Sequence, residues 1–236
     1  MSQTVFNRIE KKYLLTGLQY ENIMDALKPY MEIDSYGLHT IGNIYYDTSD
    51  DQLIRTSIEK PLYKEKLRLR SYGIPKISDT VFLEIKKKAY GIVNKRRVSL
   101  TLAEAYYYLA TGILCCDKTQ IHRELDTFLQ RYPLIPKLYL AYDRIAMFGK
   151  EDPEFRVTFD KNIRGRTNNL KLEAGSHGEL LLINRERIME VKIHGAMPLW
   201  FSNILSELEI YSTSFSKYGT FYKKQIREKL TERAVG

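Results

Sequence analysis

The chain has 236 residues, of which 44% are hydrophobic, with a formal charge of +8 and a pI of about 9.2. That is enough apolar material for a sizeable core, and the basic balance points to a polyanionic partner: nucleic acid, a membrane surface or a phosphate-rich small molecule. The two cysteines are adjacent, Cys115 and Cys116, which argues against a disulfide framework and a cysteine zinc site and fits a reduced, cytoplasmic chain. No apolar leader opens the sequence and no run approaches the ~18 apolar residues of a membrane span. No linker, low-complexity segment or repeat divides it, so one domain over residues 1–236 is expected.

Taken in order, the alternating Tyr-, Phe-, Val- and Ile-rich stretches predict strands at 6–15, 42–48, 63–73, 81–91, 92–100, 137–148, 155–166 and 187–195. Helical spacing predicts helices at 20–34, 101–112, 117–132, 198–211 and 218–233. The second opens on Thr101 and Glu104, a capping-box pair, and closes on Gly112; the third stops before Pro133. Eight strands interleaved with helices, many joined by tight turns, predict an α+β fold with a mostly antiparallel sheet, which could close into a barrel.

Read at period two, the strands repeat one theme. Lys66, Arg68 and Arg70 share a face, with Leu67 and Leu69 opposite. Glu84, Lys86 and Lys88 share another, against Val81, Leu83 and Ile85. Lys95 and Arg97 follow suit, as do Arg8, Glu10 and Lys12; Arg156, Thr158 and Asp160; Glu190 and Lys192; and Tyr142 with Arg144. On one strand, a solvated outer face explains such a pattern. Repeated on strand after strand, it is better explained by charged faces turned inward around a phosphate chain, since Arg forks bind phosphate oxygens in pairs and Lys acts as a point charge. Glu10, Glu84 and Glu190 either balance these cations or hold Mg²⁺ or Mn²⁺, which prefer carboxylate oxygens and complete their shell with water and phosphate. No phosphate-binding glycine loop is present. The cations share their faces with Glu, Thr and further cations rather than aromatic rings, which disfavours nucleic acid.

The motifs RIEKKY (8–13), IYYDT (44–48), KLRLRSYG (66–73), FLEIKKK (82–88), KRR (95–97), YDR (142–144), FRVTFD (155–160), MEVK (189–192) and SFSKY (214–218) together resemble the triphosphate tunnel metalloenzymes, and within them the VTC domain, the polyphosphate polymerase domain of the vacuolar transporter chaperone type. The resemblance runs over roughly residues 5 to 225. It implies an eight-stranded antiparallel β-barrel tunnel with flanking helices. It further implies transfer of the γ-phosphate of ATP to a growing inorganic polyphosphate chain, assisted by Mn²⁺ or Mg²⁺. The residues it marks as catalytic are Lys12, Arg68, Arg70, Lys86, Arg144, Arg156 and Lys192. Lys95, Arg97, Lys88, Lys217 and, as a hydrogen-bond donor, Tyr142 would bind substrate. Glu190, with Glu10, would hold the metal. One position departs from the wider superfamily: Arg8 stands where the first Glu of Glu-x-Glu-x-Lys would be, which suits the VTC branch and leaves one carboxylate fewer. The regulatory and membrane-anchoring parts of the fungal complex are not seen in the sequence, so a separate membrane partner could receive the polymer. A triphosphatase or polyphosphatase of the same superfamily and a non-catalytic polyphosphate-binding module are the alternatives.

Overall fold

Local chemistry starts and stops the helices of the computed structural model, which describes residues 8–90, 92–114 and 119–235; the Cys115–Cys116 pair lies outside these. The eight predicted strands are β1 (Arg8–Leu15), β3 (His39–Asp47), β4 (Tyr63–Tyr72), β5 (Thr80–Ala89), β6 (Ile92–Thr101), β7 (Ile135–Gly149), β8 (Arg156–Arg166) and β10 (Arg187–His194). Three short strands add to them: β2 (Met31–Ile33), β9 (Glu179–Leu180) and β11 (Ser212–Thr213). Six helices are formed among the described residues: α1 (Gly17–Leu27), α2 (Gln52–Ile58), α3 (Leu102–Thr111), α4 (Gln120–Arg131), α5 (Leu199–Glu207) and α6 (Lys217–Val235).

The predicted helix 20–34 is corrected at both ends. Thr16 and Gln19 form a capping box that starts α1 earlier, and Lys28, which precedes Pro29, ends it. The residues beyond become β2. The Thr101–Glu104 capping box is present as predicted, and Gly112 closes α3 with φ 71°, a left-handed conformation that glycine adopts without a Cβ clash. Helix α4 uses an unforeseen variant, in which the Nδ1 atom of His122 accepts from the Thr119 backbone N–H at 3.1 Å.

The described residues gather into two compact units. The first comprises residues up to Thr40, Tyr142–Ile163 and Leu180–Ser216; the second comprises Ile41–Ala141, Arg164–Glu179 and the chain from Lys217. In the first unit β11, β1, β10, β8 and β7 are neighbours in that order, and in the second β7, β3, β4, β5 and β6 follow one another. The pairs β1–β10, β10–β8, β3–β4, β4–β5 and β5–β6 are antiparallel. Among the described residues this order has two ends, β11 and β6. Among the described residues the hydrogen bonding is that of an open antiparallel sheet, and the closed eight-stranded barrel expected from the sequence is not formed.

In each unit one face of the strands is apolar and lies beneath helices. Tyr13, Val157, Phe159, Met189 and Val191 pack with Ile23 and Leu27 of α1 and Phe201 and Ile204 of α5. Leu67, Leu69, Leu83 and Ile85 pack with Leu102, Ala105 and Tyr108 of α3 and Leu125 and Phe128 of α4. Leu69 is fully buried and stands between Ile44 and Leu83 in register. Leu69→Ala is therefore expected to cost about 2–5 kcal/mol, because the flanking strands cannot close the cavity. Denaturant unfolding checks this, and a loss below about 1 kcal/mol would place Leu69 outside the core.

Candidate functional site

The opposite face of the second unit is built in rows across β4, β5 and β6. Lys64 stands opposite Lys88; Lys66 opposite Lys86 and, beyond it, Lys95; Arg68 opposite Glu84 and Arg97; Arg70 opposite Phe82 and Ser99. This places eight cations and one carboxylate on one face. Like charges directly across a sheet repel, so the rows destabilise one another unless anions intervene.

Glu84 is the anion the protein itself supplies. It is 1% exposed, with Arg68 Nε donating to Oε2 at 2.7 Å, Lys95 Nζ 2.7 Å from Oε1 and Arg70 Nε 3.8 Å from Oε2. Burial raises its pKa, but Arg68, Arg70 and Lys95 outweigh burial and hold the carboxyl down at about 2. One carboxylate cannot satisfy eight cations. Burial, with Arg70 and Arg68 nearby, pushes Lys95 down to about 8 despite the attraction of Glu84.

Residues from β3 complete the row ends. Tyr45 stands opposite Arg68 and Asn43 opposite Arg70. Arg68 Nη1 donates to Tyr45 Oη at 3.3 Å, and Arg70 Nε to Asn43 Oδ1 at 3.0 Å. Burial raises the Tyr45 phenol, but Arg68, Lys66 and Arg70 prevail and bring it down to about 8. The Tyr45 ring packs at 4.7 Å on Tyr218 of α6. The Tyr218 hydroxyl donates to Asp47 Oδ2 at 3.1 Å. The same Asp47 accepts the backbone N–H groups of Leu53 and Ile54, which start α2. Lys217, next to Tyr218, is buried.

The charged face of the first unit is nearly balanced. Across β1, β10 and β8, Glu10 stands opposite Lys192 and then Arg156, and Lys12 opposite Glu190 and then Thr158. Arg144 donates to both oxygens of buried Asp160, at 2.6 and 2.7 Å, a bidentate fork. Its Nη2 also lies 3.4 Å from Glu190 Oε2, and its guanidinium sits 5.1 Å from the Tyr142 ring centre. Lys12 Nζ lies 3.5 Å from Glu10 Oε1 and 3.3 Å from Glu190 Oε1, and donates to the Phe215 carbonyl at 3.2 Å.

The structure thus brings Lys12, Glu10, Glu190 and Arg144 together in the first unit, with Lys192 one row away and Arg156 exposed at the edge. It brings Arg68, Arg70, Lys86, Lys95 and Arg97 together in the second, with Lys88 exposed at the end of the face. Sequence reasoning did not single out Tyr45, Asn43 or Asp160 as site residues. Each has the right parity for its face, but a lone Tyr, Asn or Asp on a strand carries no signal until its partner is known.

Among the described residues, no three His, Cys, Asp or Glu side chains converge as a metal cage. Glu10 and Glu190 nonetheless already share one cation at Lys12 Nζ. Thr158 Oγ1, buried and in register with Glu190, has no hydrogen-bond partner. A donor set of two carboxylates with an orphaned hydroxyl nearby fits a hard divalent ion that takes its other ligands from water and phosphate oxygens.

The VTC domain family matches residues 7–225 of the chain. In fold, the chain is similar to an adenylate cyclase candidate from Bacillus halodurans, with TM-score 0.55 and 15% identity over 89% of this chain and 93% of that one. It is also similar to an adenylyl cyclase candidate from Hippeastrum described as revealing a dominant triphosphatase activity, with TM-score 0.57 and 16% identity over 92% of this chain and 96% of that one. At these identities the likeness is one of fold. A comparison with curated proteins finds no match. Among the described residues, no helix is long and apolar enough to cross a membrane. The charged strand faces, the α+β fold and the match over nearly the whole chain carry one conclusion: the chain belongs to the VTC domain family.

Proposed function

We propose that this chain is a metal-dependent polyphosphate polymerase that transfers the γ-phosphate of ATP to a growing inorganic polyphosphate chain. The observation that supports this most is the β4–β5–β6 face, where eight cations surround a single carboxylate. Such a face carries a large excess of positive charge, which a triphosphate or polyphosphate would balance. In this reading residues 1–236 act as one catalytic domain. Arg68, Arg70 and Lys86 neutralise the reacting phosphates, and Lys88, Lys95, Arg97 and Lys217 hold the rest of the substrate. Lys12, Arg144, Arg156 and Lys192 neutralise phosphate charge on the face of the first unit, where Tyr142 donates a hydrogen bond to the substrate. Glu190 and Glu10 would hold Mn²⁺ or Mg²⁺, which when bound supplies Lewis-acid neutralisation of phosphoryl oxygens. The nucleophile is the anionic end of polyphosphate, so no general base is needed, and catalysis rests on positioning and electrostatic stabilisation.

Incubation of the purified protein with ATP and Mn²⁺ tests the proposal. An acid-labile polymer on gels, with mid-chain signals by phosphorus NMR, is expected. Release of ADP and orthophosphate alone would instead support hydrolysis, a reading favoured by the fold shared with the Hippeastrum protein and its triphosphatase activity.

Glu190→Gln is expected to lower turnover by more than about 100-fold while the protein stays folded. The fold survives because Lys12 keeps Glu10 and Arg144 keeps Asp160. Rates with Mn²⁺ and a thermal melt of the same sample decide. Activity within a few-fold of wild type would remove Glu190 from the metal assignment.

A further inference from the structure

We propose that one end of the β4–β5–β6 sheet is a docking surface for an anionic lipid bilayer; two of its lysines, Lys86 and Lys88, are shared with the phosphate-binding face proposed above. Leu62, Tyr63, Tyr90, Ile92 and Val93 are 70, 44, 79, 67 and 48% exposed. The backbone gathers them at one place. Tyr90 N–H donates to the Leu62 carbonyl at 2.9 Å, Tyr63 stands opposite Ala89, Ala89 opposite Ile92, and Lys88 opposite Val93. A single exposed apolar residue needs no explanation, but five neighbours of this size do.

The surroundings of these residues indicate what covers them. The Lys64 ammonium is pushed down by burial and then by Lys88, Lys60 and Lys86, so these lysines lie within Coulombic reach of one another. Of the nearby carboxylates, Glu65 is buried and accepts from the Tyr63 and Tyr132 hydroxyls, and Glu59 is exposed. An apolar tip beside clustered lysines matches the two layers of an anionic bilayer surface. Aliphatic and aromatic side chains enter the acyl boundary while ammonium groups meet lipid phosphates and carboxylates. A protein partner would need a hollow shaped to a hairpin end, whereas a bilayer accepts the tip without one.

The test uses the full chain and sucrose-loaded vesicles of phosphatidylcholine alone or with about one third phosphatidylserine. Tripolyphosphate is left out, so that it does not compete with lipid phosphates for Lys86 and Lys88. Co-sedimentation with the mixed vesicles is expected. The double variant Leu62→Ser, Ile92→Ser should bind them about tenfold more weakly or worse, at an unchanged melting temperature because both side chains are exposed. In a second readout, Ile92→Trp should show a blue-shifted emission on mixed vesicles, beyond any change of Trp200 in the wild type. A double variant that binds like wild type would assign the attraction to net charge and overturn the proposal. So would absence of wild-type binding, an unshifted Ile92→Trp emission, or loss of a wild-type dimer in the variant, which would make a second copy the occupant.

Discussion

Glu84→Gln is expected to melt far below wild type and to recover when tripolyphosphate is added. The substitution keeps the shape of the side chain but removes the carboxylate that Arg68, Arg70 and Lys95 share. Arg70 is 7% exposed, so its charge would be left in a poorly solvated place. Breaking a buried ion pair from one side costs about 3–5 kcal/mol. The depressed pKa implies a matching size: a carboxyl held at about 2 instead of its ordinary 4.5 represents about 3 kcal/mol. Its folded pKa is depressed, so this stability is present above pH 4.5 and is lost as pH falls towards 2. For a chain of this length the loss corresponds to a melting temperature lower by roughly 6–20 °C. In the variant the ligand provides the missing anion as well as its usual contacts, so the ligand-induced rise should exceed that of wild type. Melts of both proteins with and without tripolyphosphate check this. A variant melting within about 2 °C of wild type would mean that Glu84 does not neutralise the face.

Between pH 8 and 10 the unliganded protein is expected to gain stability while its affinity for tripolyphosphate falls. Tyr45 and Lys95 both titrate at about 8 in the fold, below their ordinary 10.0 and 10.5. In that window the unfolded chain still binds both protons and the folded chain has released them, so stability rises with pH. Binding runs the other way. A phosphate chain favours the neutral phenol and the charged ammonium, so above pH 8 it must draw protons back to bind. The affinity should fall by on the order of tenfold or more between pH 7.5 and 9.5 at constant ionic strength. Calorimetry in buffers of different ionisation enthalpy should show proton uptake. Tyr45→Phe should retain the packing on Tyr218 and flatten the pH dependence, and the ligand's own titration cancels in the comparison. Equal slopes for the two proteins would remove Tyr45 from the phosphate-binding face.

These two expectations rest on different levels of information. The strand faces follow from local alternation. Lys66, Arg68 and Arg70 against Leu67 and Leu69, and Glu84, Lys86 and Lys88 against Leu83 and Ile85, are set by the two-residue period of any strand. The Thr101–Glu104 cap and the Gly112 stop were legible for the same reason, since each is complete within four residues or rests on one special φ. What the sequence did not disclose depends on register between distant segments. Arg144 meets Asp160, Lys12 meets Glu190, and Glu84 meets Arg68 and Lys95 only once strands are aligned, and no local period encodes that alignment. Helix α2 was hidden because its first N–H groups are held by Thr48 and Asp47, several residues ahead of the helix, rather than by an adjacent cap. The open order from β11 to β6 is likewise a property of the assembled sheet. The sequence by itself determined which residues are cationic, which face each occupies and where the long elements lie. The tertiary structure alone decided which charges neutralise one another, and so left the β4–β5–β6 face with far more positive than negative charge, because pairing energies depend on through-space distance and burial rather than on position along the chain.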